Sequence, residues 1–214
     1  MLQRAKNALY HLLPLRARFE RINRRNQWGS AESVSGLGST MANTANIRAA
    51  LPGLFEELGV RRVVDVACGD FNWMREVVAE TGVSYAGYDI VGAQVEANRA
   101  RHGREGVAFA QADITSGMPD ASGDLVLFRD CMLHLSFADG RAALGNLARA
   151  DARWVLLSSF TDVETNRDIP SGRHRAIDVT RAPYDLPPPE RTIQENEPNK
   201  ILGLWPVEAL RGRP

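Results

Sequence analysis

Arg61-Arg-Val-Val-Asp65-Val-Ala-Cys-Gly69-Asp70-Phe-Asn-Trp-Met74 is the stretch that decides the fold of this chain. Its first half is an apolar run with the length of a short buried strand. A tight turn follows at Gly69, and the spacing of Trp73, Val77 and Val78 then predicts a helix. In α/β proteins, ligands bind where such a strand ends, beside free amides of the next helix. The stretch therefore predicts an α/β fold with a ligand site at Gly69.

The turn lacks the glycines of a dinucleotide site. A G-x-G-x-x-G turn lets the backbone approach a pyrophosphate, whereas Ala67 and Phe71 stand here at two of the would-be glycine positions. Asp70 adds a carboxylate that would repel phosphates but tolerates a cation. S-adenosylmethionine (SAM) has a sulfonium, an ammonium and no phosphate, so the residues favour SAM. A nicotinamide-dependent oxidoreductase and a non-catalytic SAM-binding protein are the two alternatives.

An aspartate lies at the end of each of three predicted strands. Asp89 follows Asp65 by 24 positions, and Asp113 follows Asp89 by another 24. Turns favour Asp, so each residue alone could be a turn former. The regular spacing instead predicts an acidic rim at one edge of a parallel sheet, with Asp89 placed to bind ribose hydroxyls.

Four segments, in order, resemble the motifs of class I SAM-dependent methyltransferases: Asp65-x-x-Cys68-Gly69-Asp70, Tyr88-Asp89-Ile90, Gln111-x-Asp113-Ile114 and Asp124-Leu-Val-Leu-Phe128. This resemblance covers roughly positions 60 to 160. It implies a doubly wound, mostly parallel seven-stranded sheet with a closing antiparallel C-terminal hairpin. It also implies that Asp89 binds the ribose, that Asp113 and Ile114 contact the adenine, and that the Gly69 turn passes under the methionine part. The predicted cofactor site comprises Asp65, Ala67, Cys68, Gly69, Asp89, Ile90, Asp113, Ile114, Arg129 and Trp28.

A wider resemblance runs from Trp28 to Trp205. Cys68-Gly-Asp-Phe-Asn-Trp73, Arg129-Asp-Cys-x-x-His134-Leu-Ser136, Tyr184-Asp-Leu-Pro-x-Pro189 and Lys200-x-Leu-Gly-Leu-Trp205 look like a bacterial methyltransferase subgroup often found with surface-polysaccharide genes. We interpret the chain as a SAM-dependent methyltransferase that acts on an oxygen of a small or glycan-linked acceptor.

Asp130 and His134 are the predicted catalytic residues. They are four positions apart, so one helical turn would place them on the same face. A neutral histidine could then accept a proton while the carboxylate orients it. The spacing resembles that of small-molecule methyltransferases, including those acting on phosphobases, where the pair lies beside the acceptor. The alternative is a His134 that is simply hydrogen-bonded within its loop. An alcohol acceptor needs a base, whereas a phosphate or carboxylate does not.

Three residues near the C-terminus are predicted to bind the acceptor. Arg173 and Arg175 could bind an anionic group bidentately, and Tyr184 follows them. The alternative for each arginine is an ordinary solvated side chain.

The chain divides into an N-terminal segment, 1–40, and a core, 41–214. Helices are predicted over 2–13 and 15–26, and the first 28 residues contain seven Lys or Arg and one acid, Glu20. This basic segment either packs on the core or contacts a membrane surface weakly. The polar, glycine-rich stretch 28–40 is either a connector or a lid over the cofactor. In the core we predict helices over 41–58, 71–81, 92–102 and 137–150, strands over 61–67, 84–89, 106–111, 124–129 and 153–160, and a hairpin over 191–205.

Composition narrows the functional classes. The chain has 214 residues, with 26 Lys and Arg against 26 Asp and Glu, so no overall charge favours nucleic acid. Two cysteines indicate reduced thiols and a cytoplasmic protein rather than a disulfide framework. Cys131-x-x-His134 has no second pair at metal-ligand spacing, so no metal site is predicted. We find neither a membrane-spanning run nor a signal peptide in the sequence.

Overall fold

The computed structural model describes residues 13–119 and 122–212. The helix predicted over 2–13 lies almost wholly outside the described residues. Helix α1 spans Leu15–Arg24, starts after Pro14 and buries Phe19 and Ile22 against the core. It ends two residues earlier than predicted. Among the described residues, no helix has both the length and the apolar character needed to cross a bilayer.

Seven strands form one sheet, which confirms the predicted fold class. The strands are β1 (Arg62–Val66), β2 (Ser84–Asp89), β3 (Val107–Gln111), β4 (Leu125–Phe128), β5 (Trp154–Phe160), β6 (Arg191–Gln194) and β7 (Lys200–Pro206). Their order across the sheet is β3-β2-β1-β4-β5-β7-β6. Strands β1 to β5 are parallel, whereas β7 runs antiparallel between β5 and β6. The closing hairpin is therefore β6–β7.

Helices cover both faces of the sheet. They are α2 (Ala45–Leu58), α3 (Met74–Thr81), α4 (Gly92–His102) and α5 (Phe137–Leu147). Consecutive side chains of β1 point to opposite faces, as strand geometry requires. Val63 packs with Leu51 of α2, and Val64 belongs to the other apolar cluster with Leu144 of α5. Both faces of the central sheet are thus buried, which explains why β1, β4 and β5 are largely apolar.

Helix α3 begins at Met74 rather than at the predicted residue 71. Phe71 has a φ of +58°, in the left-handed region, so the chain cannot be helical there. Helix α2 likewise begins at Ala45 rather than at 41. The other core elements lie within three residues of their predicted bounds at each end. The strand order reverses between β1 and β4, and such a switch point opens a crevice at the carboxyl ends of the strands.

Candidate active site

A cavity of about 400 Å³ lies at the carboxyl ends of the central strands. All ten residues of the predicted cofactor site line it, together with Asp130 and His134. They come from the ends of β1, β2, β3 and β4 and from the stretch before α2, which the parallel sheet brings to one edge. The three-dimensional structure thus brings together residues up to about 100 positions apart in the sequence.

The turn after β1 has a left-handed backbone at three alternate residues. The φ angles are +67° at Ala67, +56° at Gly69 and +58° at Phe71. Two of these residues carry side chains, and a left-handed conformation costs an L-residue about 1–2 kcal/mol. Packing holds Phe71 in place, because its ring centroid lies 4.6 Å from that of Tyr85 and 5.1 Å from that of Phe109. The turn therefore has glycine-like conformations without the glycines.

Asp89, at the end of β2, holds this turn through backbone amides. Its carboxylate accepts hydrogen bonds from the N–H of Gly69 at 3.0 Å and of Val91 at 2.9 Å. Burial raises the pKa of Asp89 despite these bonds. The Ile90 backbone N–H is a third donor to this carboxylate, and a carboxylate has about four acceptor sites, so about one remains for a ligand hydroxyl. Asp65 differs, because it accepts from the Tyr85 hydroxyl at 2.7 Å, and burial raises its pKa to about 7.

Asp113 and Ile114 follow β3 and offer one polar and one apolar contact. The Asp113 carboxylate accepts from the N–H and the hydroxyl of Thr115, at 2.9 and 2.7 Å. Ile114 is buried, and its carbonyl accepts from the Asn146 amide at 2.7 Å. These bonds fix the loop, so that both side chains face the cavity in defined positions and could hold a flat, partly polar ring.

Residues 28–40, which we call the lid, are fastened to the turn by hydrogen bonds. The Val34 N–H donates to Asp70 Oδ2 at 3.0 Å, and the Asp70 N–H donates to Ser35 Oγ at 2.9 Å. The Asn72 amide donates to the Ser39 carbonyl at 3.0 Å. These hydrogen bonds order the segment against the core.

Four charged residues form a buried cluster beneath the lid, which we call the ionic cluster: Arg129, Asp130, Glu195 and Lys200. Arg129 Nη2 lies 2.5 Å from Glu195 Oε2, and Lys200 Nζ lies 2.8 Å from Asp130 Oδ1. Arg129 Nη2 also donates to the Gly38 carbonyl at 2.9 Å. Burial disfavours the Asp130 carboxylate, but Arg129 and Lys200 outweigh this and lower its pKa. The cluster joins β4, the hairpin and the lid.

The predicted pairing of Asp130 with His134 is wrong. Asp130 has a φ of +56°, and the short 3₁₀ turn begins only at Met132, so the two residues do not share a helical face. The Asp130 carboxylate instead contacts Lys200 and accepts from the Ser158 hydroxyl at 3.0 Å. Its role in the described structure is within the ionic cluster.

His134 is oriented by a backbone carbonyl instead. Its Nδ1 lies 2.9 Å from the carbonyl oxygen of Arg173. Because a carbonyl can only accept, Nδ1 carries the proton, and Nε2 of the neutral ring has a free lone pair. The ring centroid lies 4.9 Å from that of Trp28 and 5.4 Å from that of His174. Burial lowers the pKa of His134 to about 4, so the ring is neutral at physiological pH.

The predicted acceptor residues Arg175 and Tyr184 lie outside the cavity lining, which corrects that prediction. Arg175 Nη1 donates to the carbonyls of Met132 and Leu133, both at 3.3 Å, and Tyr184 is fully buried beside Gly140. They support the segment that carries His134.

The side chain of Arg173 also lies outside the cavity lining. Its backbone carbonyl oxygen contacts the lining residue His134. Sequence reasoning missed other lining residues: Leu37, His174, Glu197 and Lys200. Lys200 begins one segment of the wider resemblance, Lys200-x-Leu-Gly-Leu-Trp205, but was not predicted to line the site, and the other three stand in no recognisable motif. The sequence offered one indication that Lys200 is unusual, because this lysine begins an otherwise apolar strand.

The comparisons with known proteins agree with the fold. Residues 63–151 match a family model described as "Methyltransferase domain". The comparison with curated proteins found no match. Solved structures with similar folds include an O-methyltransferase family protein from Burkholderia thailandensis, at 14% identity and a TM-score of 0.56 over 77% of this chain. They also include an rRNA methylase from Escherichia coli, at 20% identity and a TM-score of 0.56 over 78% of this chain.

A third similar structure is a complex titled "DhpI-SAH", at 19% identity and a TM-score of 0.54. It matches 78% of this chain and 87% of its own. The chain spans only 56% of the Burkholderia protein and 65% of the Escherichia coli methylase. At these identities the likeness shows the fold alone, and the matched domain points to SAM as the cofactor. The residues present fit that ligand, because carboxylates outnumber cations in the lining.

Proposed function

We propose that this chain, whose residues 63–151 match a methyltransferase-domain model, is a class I SAM-dependent methyltransferase that methylates an oxygen of a small or glycan-linked acceptor. Bound SAM supplies an electrophilic methyl group on a sulfonium. The chain must then bind the acceptor hydroxyl beside the cofactor, exclude water and remove the hydroxyl proton. The division into a lid-bearing segment, 1–40, and a core, 41–214, is part of this proposal.

The observation that carries the proposal is the orientation of His134. The Arg173 carbonyl fixes the tautomer in which Nε2 is the proton acceptor. Burial keeps the ring neutral and also makes it a weak base. A weak base suffices here, because a hydroxyl oxygen becomes strongly acidic as it is methylated. An acceptor that is already anionic would not need this side chain.

Three groups of residues at the carboxyl ends of β1, β2 and β3 are proposed to hold the cofactor. Asp89 has acceptor capacity left for a ribose hydroxyl, and Asp113 with Ile114 offers a polar and an apolar contact for the adenine. The left-handed turn at Gly69 lets the backbone pass close under the methionine part. A Cβ atom at this position would overlap Ser35 Oγ of the lid, so glycine lets the turn and the lid approach each other.

The lid is proposed to exclude water from the reacting groups. Trp28 packs against the His134 ring, and Gly36 packs against Trp28, with its Cβ position 3.0 Å from Trp28 Cβ. Water-free surroundings strengthen the electrostatic interactions that a charged cofactor makes. Weak membrane contact through residues 1–28, the cytoplasmic location and the absence of a nucleic-acid partner stay predictions.

The test is product identity. The protein would be incubated with methyl-labelled SAM and a panel of alcohols, phenols, sugars, amines and carboxylic acids, and products would be identified by mass spectrometry. We expect S-adenosylhomocysteine and O-methyl products, with His134→Gln strongly impaired and His102→Gln, a histidine outside the cavity lining, unaffected. Transfer only to nitrogen would overturn the proposal, and transfer only to a carboxylate oxygen would remove the role of His134 as a base. SAM binding without transfer would favour a non-catalytic SAM-binding protein, and binding of NAD in place of SAM would favour an oxidoreductase.

A further inference from the structure

The carboxylates of the cavity lining outnumber its cations, and both cations are already paired with carboxylates. Five carboxylates line the cavity in the described part of the chain, against two cations. Both cations, Arg129 and Lys200, belong to the ionic cluster, where Glu195 and Asp130 neutralise them. SAM carries a single net positive charge, so the lining stays acidic when it is bound. A phosphate or carboxylate on the acceptor would meet repulsion there.

The lid carries an apolar side chain at the rim of this cavity. Leu37 is 61% exposed, and it is the large hydrophobic residue that stands exposed among the described residues. It also lines the cavity, so its side chain lies at the mouth. Its carbonyl accepts from the Thr40 hydroxyl at 2.9 Å and from the Asn43 amide at 2.8 Å. An ordered turn therefore presents Leu37 to whatever enters.

Polar groups lie on either side of Leu37 along the rim. On one side, Lys200 Nζ lies 3.9 Å from the Cβ position of Gly38 and 3.5 Å from Glu197 Oε2. On the other side, Gly36 packs on Trp28, which stacks on His134. The rim thus runs from a carboxylate, past an apolar side chain, to the proposed base.

Glu197 is the carboxylate of the lining that is held most loosely. Its side chain is 51% exposed, and its contact with the Lys200 ammonium is 3.5 Å long. The lone pairs of this carboxylate can therefore accept hydrogen bonds from a ligand hydroxyl. The exposed His174 lies on the far side of His134 and offers a further polar contact.

We propose that the acceptor is a polyhydroxylated compound of the pyranose type that carries no anionic group, bound between Leu37, Glu197 and His134. Its C–H face covers Leu37, one hydroxyl donates to Glu197, and the reacting hydroxyl lies at His134 Nε2. This inference rests on the proposed O-methyl transfer. In that reaction the O–H proton moves to Nε2, an O–C bond forms and the S–C bond of SAM breaks. The products are a methyl ether and S-adenosylhomocysteine.

The experiment compares sugar acceptors that share one ring and differ in the group at C6, which is a hydroxyl, a carboxylate or a phosphate. Labelled SAM would be tested with methyl glycosides of neutral hexoses. The comparison compounds are the methyl glycosides of the corresponding uronic acids, which are carboxylates at neutral pH, and of the corresponding hexose 6-phosphates. We expect kcat/KM for a neutral glycoside to exceed that for its uronate and its phosphate at least tenfold. Equal or better methylation of a hydroxyl on the uronate or the phosphate would overturn the inference and leave O-methyl transfer intact.

Turnover of other alcohols but of no neutral glycoside would also overturn the inference and leave the proposed function standing. Transfer to no hydroxyl compound at all would remove the proposed function itself. The two failures are therefore distinguishable in one assay.

Two variants assign the specificity to particular residues. Leu37→Ser should raise KM for the neutral glycoside about fivefold and leave SAM affinity unchanged, whereas Leu37→Met should behave like the wild type. Glu197→Gln removes the charge and keeps a hydrogen-bond acceptor, so the preference for the neutral glycoside over its uronate should shrink. An unchanged preference in Glu197→Gln, together with an unchanged KM in Leu37→Ser, would contradict the assignment.

Discussion

The Nδ1 atom of His134 lies 2.9 Å from the carbonyl oxygen of Arg173. The two segments that carry these residues are joined by further backbone bonds, from the Gly172 N–H to the His134 carbonyl at 2.8 Å and from the Arg175 N–H to the Leu133 carbonyl at 3.1 Å. The tautomer of His134 is therefore set by the main chain of a distant loop. A backbone carbonyl does not titrate as a carboxylate would. The orientation of the His134 ring is therefore independent of pH until the ring itself is protonated.

Replacing His134 should separate chemistry from binding. His134→Ala should lower the methyl-transfer rate by a typical ~10²–10⁴-fold, because the proton acceptor is lost. SAM affinity, measured by calorimetry, should change little, since the proposed cofactor contacts lie at the ends of β1, β2 and β3. Near-normal turnover in a folded His134→Ala protein would contradict the base and would point to an acceptor that is already anionic.

The pH dependence follows from the same residue. The folded pKa of His134 is lowered to about 4, and the neutral form is the active one. The wild-type rate should therefore stay level as pH falls from about 8 to about 6 and should decline only as pH approaches about 4. The imidazole titration in NMR spectra gives an independent value. A decline centred near the reference pKa of ~6.5 would show that burial does not depress the pKa.

Asp89 tests the cofactor assignment. Asp89→Ala removes the proposed ribose contacts, and hydrogen bonds to charged groups contribute about 1.5–3 kcal/mol each, so SAM affinity should fall at least tenfold. The carboxylate also holds Gly69 and Val91, and Asp89→Asn keeps one oxygen acceptor for these amides. We expect an intermediate loss in Asp89→Asn. Calorimetry that shows full affinity in a folded Asp89→Ala protein would exclude the ribose role.

The strained turn predicts a stabilising substitution. Ala67 has a φ of +67°, where glycine is unstrained, so Ala67→Gly should relieve about 1–2 kcal/mol of strain. The added freedom of the unfolded chain offsets about 0.4–1 kcal/mol of that gain. Urea unfolding should show a net increase in the free energy of unfolding of up to about 1.5 kcal/mol. Ala79→Gly, in the exposed part of α3, is the matched control and should destabilise by about 1 kcal/mol.

Gly38 tests how the lid depends on the ionic cluster. A Cβ at this position would lie 2.8 Å from Asp130 Oδ2, which Lys200 and Arg129 hold in place. Gly38→Ala should therefore displace the lid, weaken SAM binding and expose 28–40 to proteolysis. Gly53→Ala is the control, because nothing lies within 4 Å of its Cβ position in α2. Equal cleavage of the two variants, with and without S-adenosylhomocysteine, would contradict the lid.

The local sequence predicted the fold well for a physical reason. The strands of a sheet buried on both faces are continuous apolar runs, and the amphipathic helices between them repeat with their own period. The C-terminal hairpin was visible from the turn-like Asn196-Glu-Pro198-Asn199 between two strand-like runs. The left-handed backbone at Phe71 was not visible, because aromatic packing rather than residue type holds it there. The start of α3 was therefore misplaced.

The sequence alone determined that aspartates stand at the ends of three strands, because the spacing of strands and helices fixes which residues reach the edge of a parallel sheet. It also placed His134 beside the cavity. Only the tertiary structure decided the partners of these residues. Lys200 and Asp130 are 70 positions apart and Arg129 and Glu195 are 66 apart, so no local pattern could pair them. Ion pairs and carbonyl contacts depend on side chains that the fold brings together, and such contacts leave no period in the sequence.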